Sequence, residues 1–282
     1  MMSQPSRAAE SVIDTKEGSI KVETVADGLE HPWGLAFLPE GRMLVTERPG
    51  RLRIVSKDGA KSEPLKGVPE VFAQGQGGLL DVALDPHFTD NGLVYLSYAE
   101  PGEDNAGTAV ARGKLGDGSI DNVDHRNAQG AAINPKTGKL WESEFGPRGG
   151  DELNIPEAGR NYGWSVVSWG MHYDGRPIPE PPTHPEFADA IYHWNPVISP
   201  SGIMFYTADA IPGWKGNLLL AGLTSKAIVR LTLDGEKVTD EERIPMGARV
   251  RDVVQGPDGA VYALTDEDNG KIIKLTLAEK QG

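Results

Sequence analysis

The chain has 282 residues, of which 28 are lysine or arginine and 41 are aspartate or glutamate, so its formal net charge is −13. This acidity argues against nucleic-acid backbones and anionic membranes as partners. The absence of cysteine excludes disulfides, thiolate metal sites and a cysteine nucleophile, and no apolar run is long enough to insert into a bilayer as a spanning helix.

The N-terminal residues 1–19 contain no apolar core of a secretory signal. We expect them to form a disordered lead-in, or to be the trimmed end of an exported protein. A strand pattern follows at Ile20–Val25, and residues 20–282 are expected to form a single domain.

A repeated pattern then extends along the rest of the chain. Each copy has small and apolar residues, a Pro/Gly turn and a β-rich run, with 35 glycines and 21 prolines in all. The copies are Gly34–Val55, Gly78–Glu100, Gly130–Glu144, Gly202–Leu223 and Asp252–Leu275.

These copies predict an all-β fold, because their apolar residues alternate or cluster and do not follow a 3.6-residue period. Units of four strands repeated at roughly 40 to 50 residues are typical of β-propeller blades. We therefore predict a β-propeller of five four-stranded blades, in which Ile20–Val25 completes the last blade and closes the ring. A β-sandwich is the alternative, but sandwiches lack this repeat of turns.

Several long motifs strongly resemble the soluble aldose sugar dehydrogenases of the glucose/sorbosone dehydrogenase family. They are HPWGLAF, GQGGLLDVALDP, RNAQG, GPRGGDELNI, GRNYGW and RVRDVVQGPDGAVYALTD, and the resemblance extends from about residue 20 onward. It implies a six-bladed relative that uses pyrroloquinoline quinone (PQQ) and calcium. Such enzymes oxidise aldoses to lactones and pass electrons to an external acceptor.

The resemblance also implies a cofactor site. In the family, the residues that line it match Gln76, Arg126, Asn127, Arg249, Arg251 and Asp266. PQQ is a tricarboxylate, and planar guanidinium groups bind carboxylates through paired hydrogen bonds. For each arginine, an ordinary surface salt bridge is the alternative.

The stretch EFGPRGGDE predicts a rigid loop with exposed main-chain carbonyls, which are ligands that calcium accepts. The resemblance implies that the carbonyls of Gly146 and Pro147 bind the calcium that also touches PQQ. Glu152 and Tyr162 match positions of a further calcium site in some relatives. A solvated glutamate and a packed tyrosine are the alternative for this pair.

The family has a whole additional repeat where this chain has only the junction segment Gly116–Asp124. That repeat opens with a His-Phe-Gly-Gly-Arg motif, whose histidine is the general base of the family. The motif is absent from this sequence, so no catalytic residue is assigned. We expect that one blade is missing in register, which leaves five blades from six and keeps each strand's pairing.

Two further positions depart from the family. The family usually has lysine at the position of Thr224, where it contacts the cofactor; Lys226 is two residues away, which on a strand is the same face. Relatives from this branch have histidine at the position of Phe145.

The six histidines are the candidates for a replacement base, which must come within about 3 Å of the proton that it takes. His31 is expected to be structural, His125 to lie in an outer strand or turn, and His87 and His184 to lie in turns. His172 and His193 lie near segments that feed the propeller face.

Two functions follow from these observations. The first is a PQQ- and calcium-dependent sugar dehydrogenase, with an aldose and an electron acceptor as its partners. The alternative is an inactive blade-deleted or engineered propeller that acts as a binding scaffold. A lactonase-like metal hydrolase is less favoured, because it needs several inward carboxylate and amide ligands. We expect a monomer or homodimer, periplasmic by resemblance, or cytoplasmic since no export signal is visible.

Overall fold

The computed structural model of the chain describes residues 10–102, 106–116, 119–126, 132–157 and 160–279, with the backbone alone for residues 121–126 and for Pro182. The strands of the first half are β1 (Glu10–Thr15), β2 (Gly18–Leu29), β3 (Pro32–Phe37), β4 (Met43–Glu47), β5 (Arg51–Val55), β6 (Leu79–Leu84), β7 (Leu93–Pro101), β8 (Ala106–Leu115) and β9 (Ile120–Arg126). One short helix, α1 (Phe88–Asn91), precedes β7.

The strands of the second half are β10 (Ala132–Ile133), β11 (Leu140–Glu144), β12 (Asp151–Asn154), β13 (Tyr192–Trp194), β14 (Pro200–Phe205), β15 (Leu218–Gly222), β16 (Ala227–Asp234), β17 (Lys237–Pro245), β18 (Val250–Gln255), β19 (Val261–Thr265) and β20 (Gly270–Leu277). Two single 3₁₀ turns lie at Pro181–Thr183 and Pro212–Trp214. Within the described ranges, no helix has the length and apolar character that crossing a membrane requires.

The described strands form five sheets, which are the blades of a five-bladed β-propeller. Their orders are β3-β4-β5, β6-β7-β8-β9, β10-β11-β12-β13, β14-β15-β16-β17 and β1-β2-β20-β19-β18. The predicted all-β propeller is confirmed. Three of these blades have four strands as predicted, whereas the first has three and the last has five.

The last blade has a fifth strand because β1 pairs with β2 in an antiparallel hairpin. Strand structure thus begins at Glu10, ten residues before the expected start of the domain at residue 20; residues 1–9 lie outside the described part. β2 pairs with β20 from Ile20 to Leu29, so the prediction that the early strand completes the last blade is confirmed. A single domain over residues 20–282 stays a prediction.

The chain divides into two compact units. The first comprises Met1–Ala128, Ala208–Gly213 and Val254–Gly282. Its core includes alternate residues of β7, namely Val94, Leu96 and Tyr98, which pack in one cluster with apolar residues of β4 and β5. This alternation follows from the two-residue period of a strand with one buried face.

The second unit comprises Gln129–Thr207 and Trp214–Val253. Its core joins the third and fourth blades, since Trp141, Leu153 and Trp194 of the third cluster with Leu218 and Val229 of the fourth. The opposite face of β10 and β11 is exposed; Ile133 and Leu140 are 58% and 39% accessible.

The same close contact between neighbouring blades occurs in both units. An ideal Cβ at Gly34 of β3 would lie 2.8 Å from Cα of Asp81 in β6, and one at Gly202 of β14 would lie 2.8 Å from Cα of Asp252 in β18. Glycine is therefore required at the first strand of these blades because the next blade's backbone approaches too closely for a side chain.

The junction segment contributes a strand. Gly116 N–H donates to the carbonyl of Ser119, Ile120 pairs with Leu115, and β9 is the outermost strand of the second blade. The junction therefore completes the preceding blade before the chain reaches β10.

Candidate functional site

In the first unit, Arg48 fixes the loop that contains Gln76. Its guanidinium Nη1 donates to the carbonyl of Gly75 at 2.6 Å, and its own carbonyl accepts from Leu79 N–H at 2.9 Å. Gly78 has φ +143°, and a Cβ there would lie 2.2 Å from the Arg48 carbonyl oxygen. The backbone around Gln76 is thus held in place while its side chain is exposed.

Asp266, on the turn after β19, is held by His31. Nδ1 of His31 lies 3.0 Å from Oδ1 of Asp266, and Nε2 lies 2.9 Å from Oδ1 of Asp268. The Asp266 side chain is only 10% exposed. The structure therefore connects one predicted cofactor residue to a histidine that the sequence assigned to a structural role.

The residue directly before Arg48, Glu47, is a buried carboxylate. Glu47 is 1% exposed, accepts from the backbone of Glu30, and forms ion pairs with Arg51 and Arg53 at 2.8 and 2.7 Å. Burial alone would raise the pKa of Glu47, but the hydrogen bonds from Arg51, Glu30 and Arg53 hold it below its usual value. The turn that carries Arg48 is consequently anchored by a charged network.

In the second unit, Asp151 organises the predicted calcium loop. Its Oδ1 accepts from Gly146 N–H at 2.9 Å, and its Oδ2 accepts from the N–H groups of Ile198 and Ser199, both at 2.7 Å. Asp151 is 1% exposed, and burial raises the pKa of its carboxyl despite these three donors. One buried side chain therefore connects two separate loops.

The loop from Gly146 onward is tightly folded. Gly150 has φ +73°, and a Cβ there would lie 2.3 Å from the backbone nitrogen of Gly170. Within the described part of the chain, no hydrogen bond is donated to the carbonyl oxygens of Gly146 and Pro147. Two unused main-chain oxygens on a fixed loop suit a hard cation such as calcium.

Glu152 and Tyr162 both lie close to β12, one in the strand and the other hydrogen-bonded to the residue that follows it. Glu152 lies in β12, and Tyr162 Oη donates to the carbonyl of Ile155, directly after it, at 2.8 Å. Burial raises the pKa of Glu152 to about 7, and the charges of Glu144 and Asp189 act in the same direction, against the Asn154 amide. In the ranges that the structure describes, no three His, Asp or Glu side chains are grouped as a metal site would need.

Thr224 and Lys226 lie in the turn between β15 and β16. Thr224 Oγ1 lies 3.0 Å from Ser199 Oγ, which brings Thr224 to the loop held by Asp151. The expectation that Lys226 shares a strand face with Thr224 is wrong, because Lys226 has φ +51° and the four residues before β16 form a turn.

Arg251 is 4% exposed in β18, with Nη1 3.5 Å from Ser201 Oγ in β14; Arg249, just before β18, is half-buried. Ser199, directly before β14, contacts Thr224, and Ser201, in β14, contacts Arg251. The second unit therefore brings together the Gly146–Pro147 loop, Thr224 and Arg251.

The remaining predicted positions are less informative. Arg126 ends β9, where its side chain is not described, and Asn127 lies outside the described residues. Phe145 is 60% exposed. His193 stacks on Trp169 with centroids 4.1 Å apart.

Backbone strain marks the same loops. In the described part of the chain, the non-glycine residues with left-handed φ are His31 (+45°), Ser199 (+49°) and Lys226 (+51°). Such conformations are uncommon outside glycine and concentrate at functional sites. Sequence reasoning missed Asp151 and Arg48, although both stand in or beside quoted motifs: a carboxylate after two glycines is a signal for binding of loop N–H groups.

Comparison with known proteins gives consistent matches. The family model described as Glucose / Sorbosone dehydrogenase matches residues 29–124 and 119–274. Aldose sugar dehydrogenase YliI of Escherichia coli (strain K12) is 34% identical over 345 residues of alignment, which cover 92% of this chain and 93% of that protein.

Two further matches extend the comparison. The crystal structure of a glucose dehydrogenase superposes with a TM-score of 0.86 at 38% identity, covering 92% of this chain and 99% of that one. Quinoprotein glucose dehydrogenase B of Acinetobacter calcoaceticus is 29% identical over 229 residues, which are 55% of this chain and 48% of that protein.

Proposed function

Because the chain belongs to the Glucose / Sorbosone dehydrogenase family, we propose that it oxidises an aldose to its lactone, with PQQ and calcium bound and with an external electron acceptor. The names of two relatives, an aldose sugar dehydrogenase and a quinoprotein glucose dehydrogenase, support this substrate and this cofactor. The relatives' usual compartment supports the periplasm as its location.

The observation that carries the proposal is the loop held by Asp151. It presents the carbonyl oxygens of Gly146 and Pro147 without a hydrogen-bond donor from the described residues. These oxygens fit calcium. Thr224 contacts Ser199 in the loop that Asp151 holds, and Arg251 contacts Ser201, two residues further along the chain. The residues of the second unit therefore fit the metal and one side of a carboxylate-bearing cofactor.

The residues proposed to bind PQQ are Gln76, Arg126, Asn127, Thr224, Lys226, Arg249, Arg251 and Asp266. Those proposed to bind calcium are Gly146, Pro147, Glu152 and Tyr162. PQQ, when bound, supplies a two-electron acceptor. The arginines would bind its carboxylates, and the Gly146 loop, which Asp151 already holds, would lose little conformational entropy on binding.

A second function is favoured by the junction. The alignment with the E. coli relative has 345 positions but covers 92% of the 282 residues of this chain, so about 86 positions have no residue of this chain. The two stretches that match the family model overlap at residues 119–124, inside the junction segment and β9. Both observations support a missing repeat and, with it, the loss of the family's general base. The alternative function is a binding scaffold that retains the cofactor site without turnover.

One titration separates these functions. Purified protein with excess calcium receives PQQ while the absorbance of the quinone is followed, and an aldose is then added. A saturable spectral shift followed by bleaching supports the dehydrogenase, and a shift without bleaching supports the scaffold. Absence of any shift would overturn both as proposed.

The matched variants are Arg251→Gln and Arg243→Gln. Arg251 is buried beside Ser201, whereas Arg243 is 45% exposed and pairs with Glu241. We expect R251Q to weaken PQQ binding about tenfold or more, as loss of a buried charge-assisted contact does, and R243Q to bind as wild type does. Equal affinities would remove Arg251 from the site.

A further inference from the structure

The chain contains two Asn-Gly sequences, Asn91-Gly92 and Asn269-Gly270. In such a pair the backbone nitrogen of the glycine can attack the carboxamide carbon of the asparagine, because glycine has no side chain to obstruct the approach. The rate depends on how firmly the structure holds the carboxamide and that nitrogen. The two pairs differ in this respect, so that each serves as a control for the other.

Asn91 is held by hydrogen bonds at both ends of its carboxamide. Its Nδ2 donates to Oδ1 of Asp85 at 2.9 Å, and its Oδ1 accepts from the N–H of Leu93 at 2.9 Å. The N–H of Gly92, whose nitrogen would attack, donates to the carbonyl of Phe88 at 2.7 Å. Three hydrogen bonds must therefore break before this pair can react.

Asn269 lies in the exposed turn between β19 and β20. Within the ranges that the structure describes, no hydrogen bond holds its carboxamide. Gly270 is the first residue of β20, and the ends of strands open more readily than their centres. The carboxamide of Asn269 is thus free to turn towards the following nitrogen, whereas that of Asn91 is not.

We propose that Asn269 is a site of spontaneous deamidation, and that the isoaspartyl product of this reaction weakens the pairing of strands that closes the propeller. Water is the only co-reactant. Neither a cofactor nor a substrate takes part, so the modification is independent of the function proposed above.

The reaction has two stages. The backbone nitrogen of Gly270 bonds to Cγ of Asn269, while the C–N bond of the carboxamide breaks and ammonia leaves with the proton of that nitrogen. Water then opens the resulting succinimide ring. Attack at the side-chain carbonyl leaves an aspartyl side chain, whereas attack at the main-chain carbonyl leaves an isoaspartyl linkage, in which the main chain passes through Cβ.

The isoaspartyl linkage adds one methylene group to the main chain where there is no room for it. An ideal Cβ at Gly270 would lie 2.3 Å from Cδ of Pro32 and 2.8 Å from the carbonyl oxygen of Thr265. Gly270 pairs with Leu29 at the end of the ladder between β2 and β20. The N–H of the next residue, Lys271, donates to Oγ1 of Thr265 at 2.9 Å. Displacement of Gly270 should therefore loosen this end of the ladder.

The aspartyl product, in contrast, fits its surroundings. Nζ of Lys61 lies 2.7 Å, and Oδ1 of Asn269 3.7 Å, from the position of an ideal Cβ at Gly28. The ammonium group also donates to the carbonyls of Asp27 and Gly28 at 2.5 and 3.0 Å, so it is fixed beside the turn. A carboxylate at position 269 would gain this cation as a neighbour. Asn269→Asp is therefore a matched control that has the new charge without the longer main chain.

The first test compares the two Asn-Gly pairs. Purified protein is incubated at mildly alkaline pH, and peptide mapping by mass spectrometry measures deamidation and isoaspartate at each asparagine. We expect Asn269 to react at least about tenfold faster than Asn91, a ratio that corresponds to about 1.4 kcal/mol of protection at Asn91. An unreacted Asn269, or equal rates at the two sites, would overturn the proposal.

The same incubation in urea separates the effect of structure from that of sequence. In the unfolded chain neither carboxamide is held, so both pairs should react at similar rates. A ratio in urea as large as that in the folded protein would contradict the role of the hydrogen bonds at Asn91.

The second test measures the effect on the closing strands. Chromatography separates the isoaspartyl form from the aspartyl form, and amide exchange is followed at Lys271. We expect exchange at least about tenfold faster in the isoaspartyl form than in fresh protein, whereas Asn269→Asp exchanges as wild type does. Asn269→Gln, whose longer side chain closes a ring far more slowly, should keep its exchange rate throughout the incubation.

Two results would refute this effect. Unchanged exchange at Lys271 in the isoaspartyl form would show that β20 accommodates the longer main chain. Equally fast exchange in Asn269→Asp would show that the new charge, and not the added methylene group, loosens the strand.

Discussion

The carboxylate of Asp151 accepts a hydrogen bond of 2.7 Å from the backbone of Ser199, 48 residues further along the chain. The same carboxylate accepts from Gly146 at 2.9 Å. Two loops proposed to hold the metal and the cofactor are therefore fixed by one side chain, and changes to either loop are transmitted through it.

Asp151→Asn is expected to lower the free energy of unfolding by about 1 to 3 kcal/mol, because an amide cannot accept on both sides and one N–H group loses its buried partner. Ser199 and Ile198 donate to one oxygen and Gly146 to the other. We expect the carboxamide oxygen of the variant to face the N–H groups of Ile198 and Ser199, so that the N–H group of Gly146 loses its acceptor. Urea unfolding and amide exchange at Gly146 measure this.

The control for this prediction is Asp85→Asn. Asp85 also accepts three hydrogen bonds, from His87, Asn91 and Tyr95, but in a turn of the first unit. D85N should leave calcium affinity unchanged while D151N weakens it. Equal calcium affinity in D151N and wild type would contradict the role of the Asp151 loop.

Glu152 should make the calcium-free protein less stable as pH rises. Burial raises the folded pKa of Glu152 to about 7, above its ordinary value of 4.5. The protonated form is favoured in the folded state, so its stabilisation is complete below pH 4.5 and is lost as pH rises towards 7. Glu152→Gln should therefore be more stable than wild type at pH 8 by about 1 to 2 kcal/mol, after allowance for partial exposure.

Urea unfolding at pH 4.5 and pH 8 with a chelator measures the difference, which should vanish at the lower pH. Added calcium should remove the deficit of the wild type at pH 8 and leave E152Q unaffected, if Glu152 is a ligand. A difference between the two proteins that is the same at both pH values would show that Glu152 does not titrate as described.

Gly202→Ala is expected to destabilise the protein by about 1 to 3 kcal/mol, because the added Cβ meets backbone that cannot move aside. That Cβ would lie 2.8 Å from Cα of Asp252. Gly107→Ala is the control, since an ideal Cβ there has no neighbour within 4 Å. Thermal or urea unfolding gives the stability of both variants. Equal stability of the two would contradict the close contact between Gly202 and the backbone of Asp252.

Arg48→Ala should loosen the loop of Gln76 with little effect on global stability. The bond from Arg48 to Gly75 is exposed, so its loss costs about 1 kcal/mol or less. Amide exchange at Gly77 should rise by up to about fivefold, which corresponds to about 1 kcal/mol of local opening. Arg42→Ala, which removes an exposed pair with Glu40, should not change exchange in that loop.

The blades were predictable because their signals are local. The copies Gly34–Val55 and Asp252–Leu275 each coincide with the successive strands of one blade, since a Pro/Gly turn between alternating apolar runs specifies a hairpin without distant information. The pairing of Ile20–Val25 with β20 was predictable from the incomplete last copy.

What sequence patterns missed depends on distant partners or on exact backbone angles. Asp151 gains its role from Ile198 and Ser199, which no local pattern links to it. Lys226 was placed on a strand because spacing alone does not reveal a left-handed residue in a turn. The pairing of His31 with Asp266 likewise joins the first blade to the last.

The sheet formed by β1, β2, β20, β19 and β18 has a consequence for synthesis. β2 leaves the ribosome long before its partner β20, which meets it from Ile20↔Leu277 to Leu29↔Gly270. The apolar side chains of β2 must therefore remain without their partner strand while the intervening blades are translated. A nascent chain stalled before β20 should expose these side chains and be a preferred client of ribosome-associated chaperones.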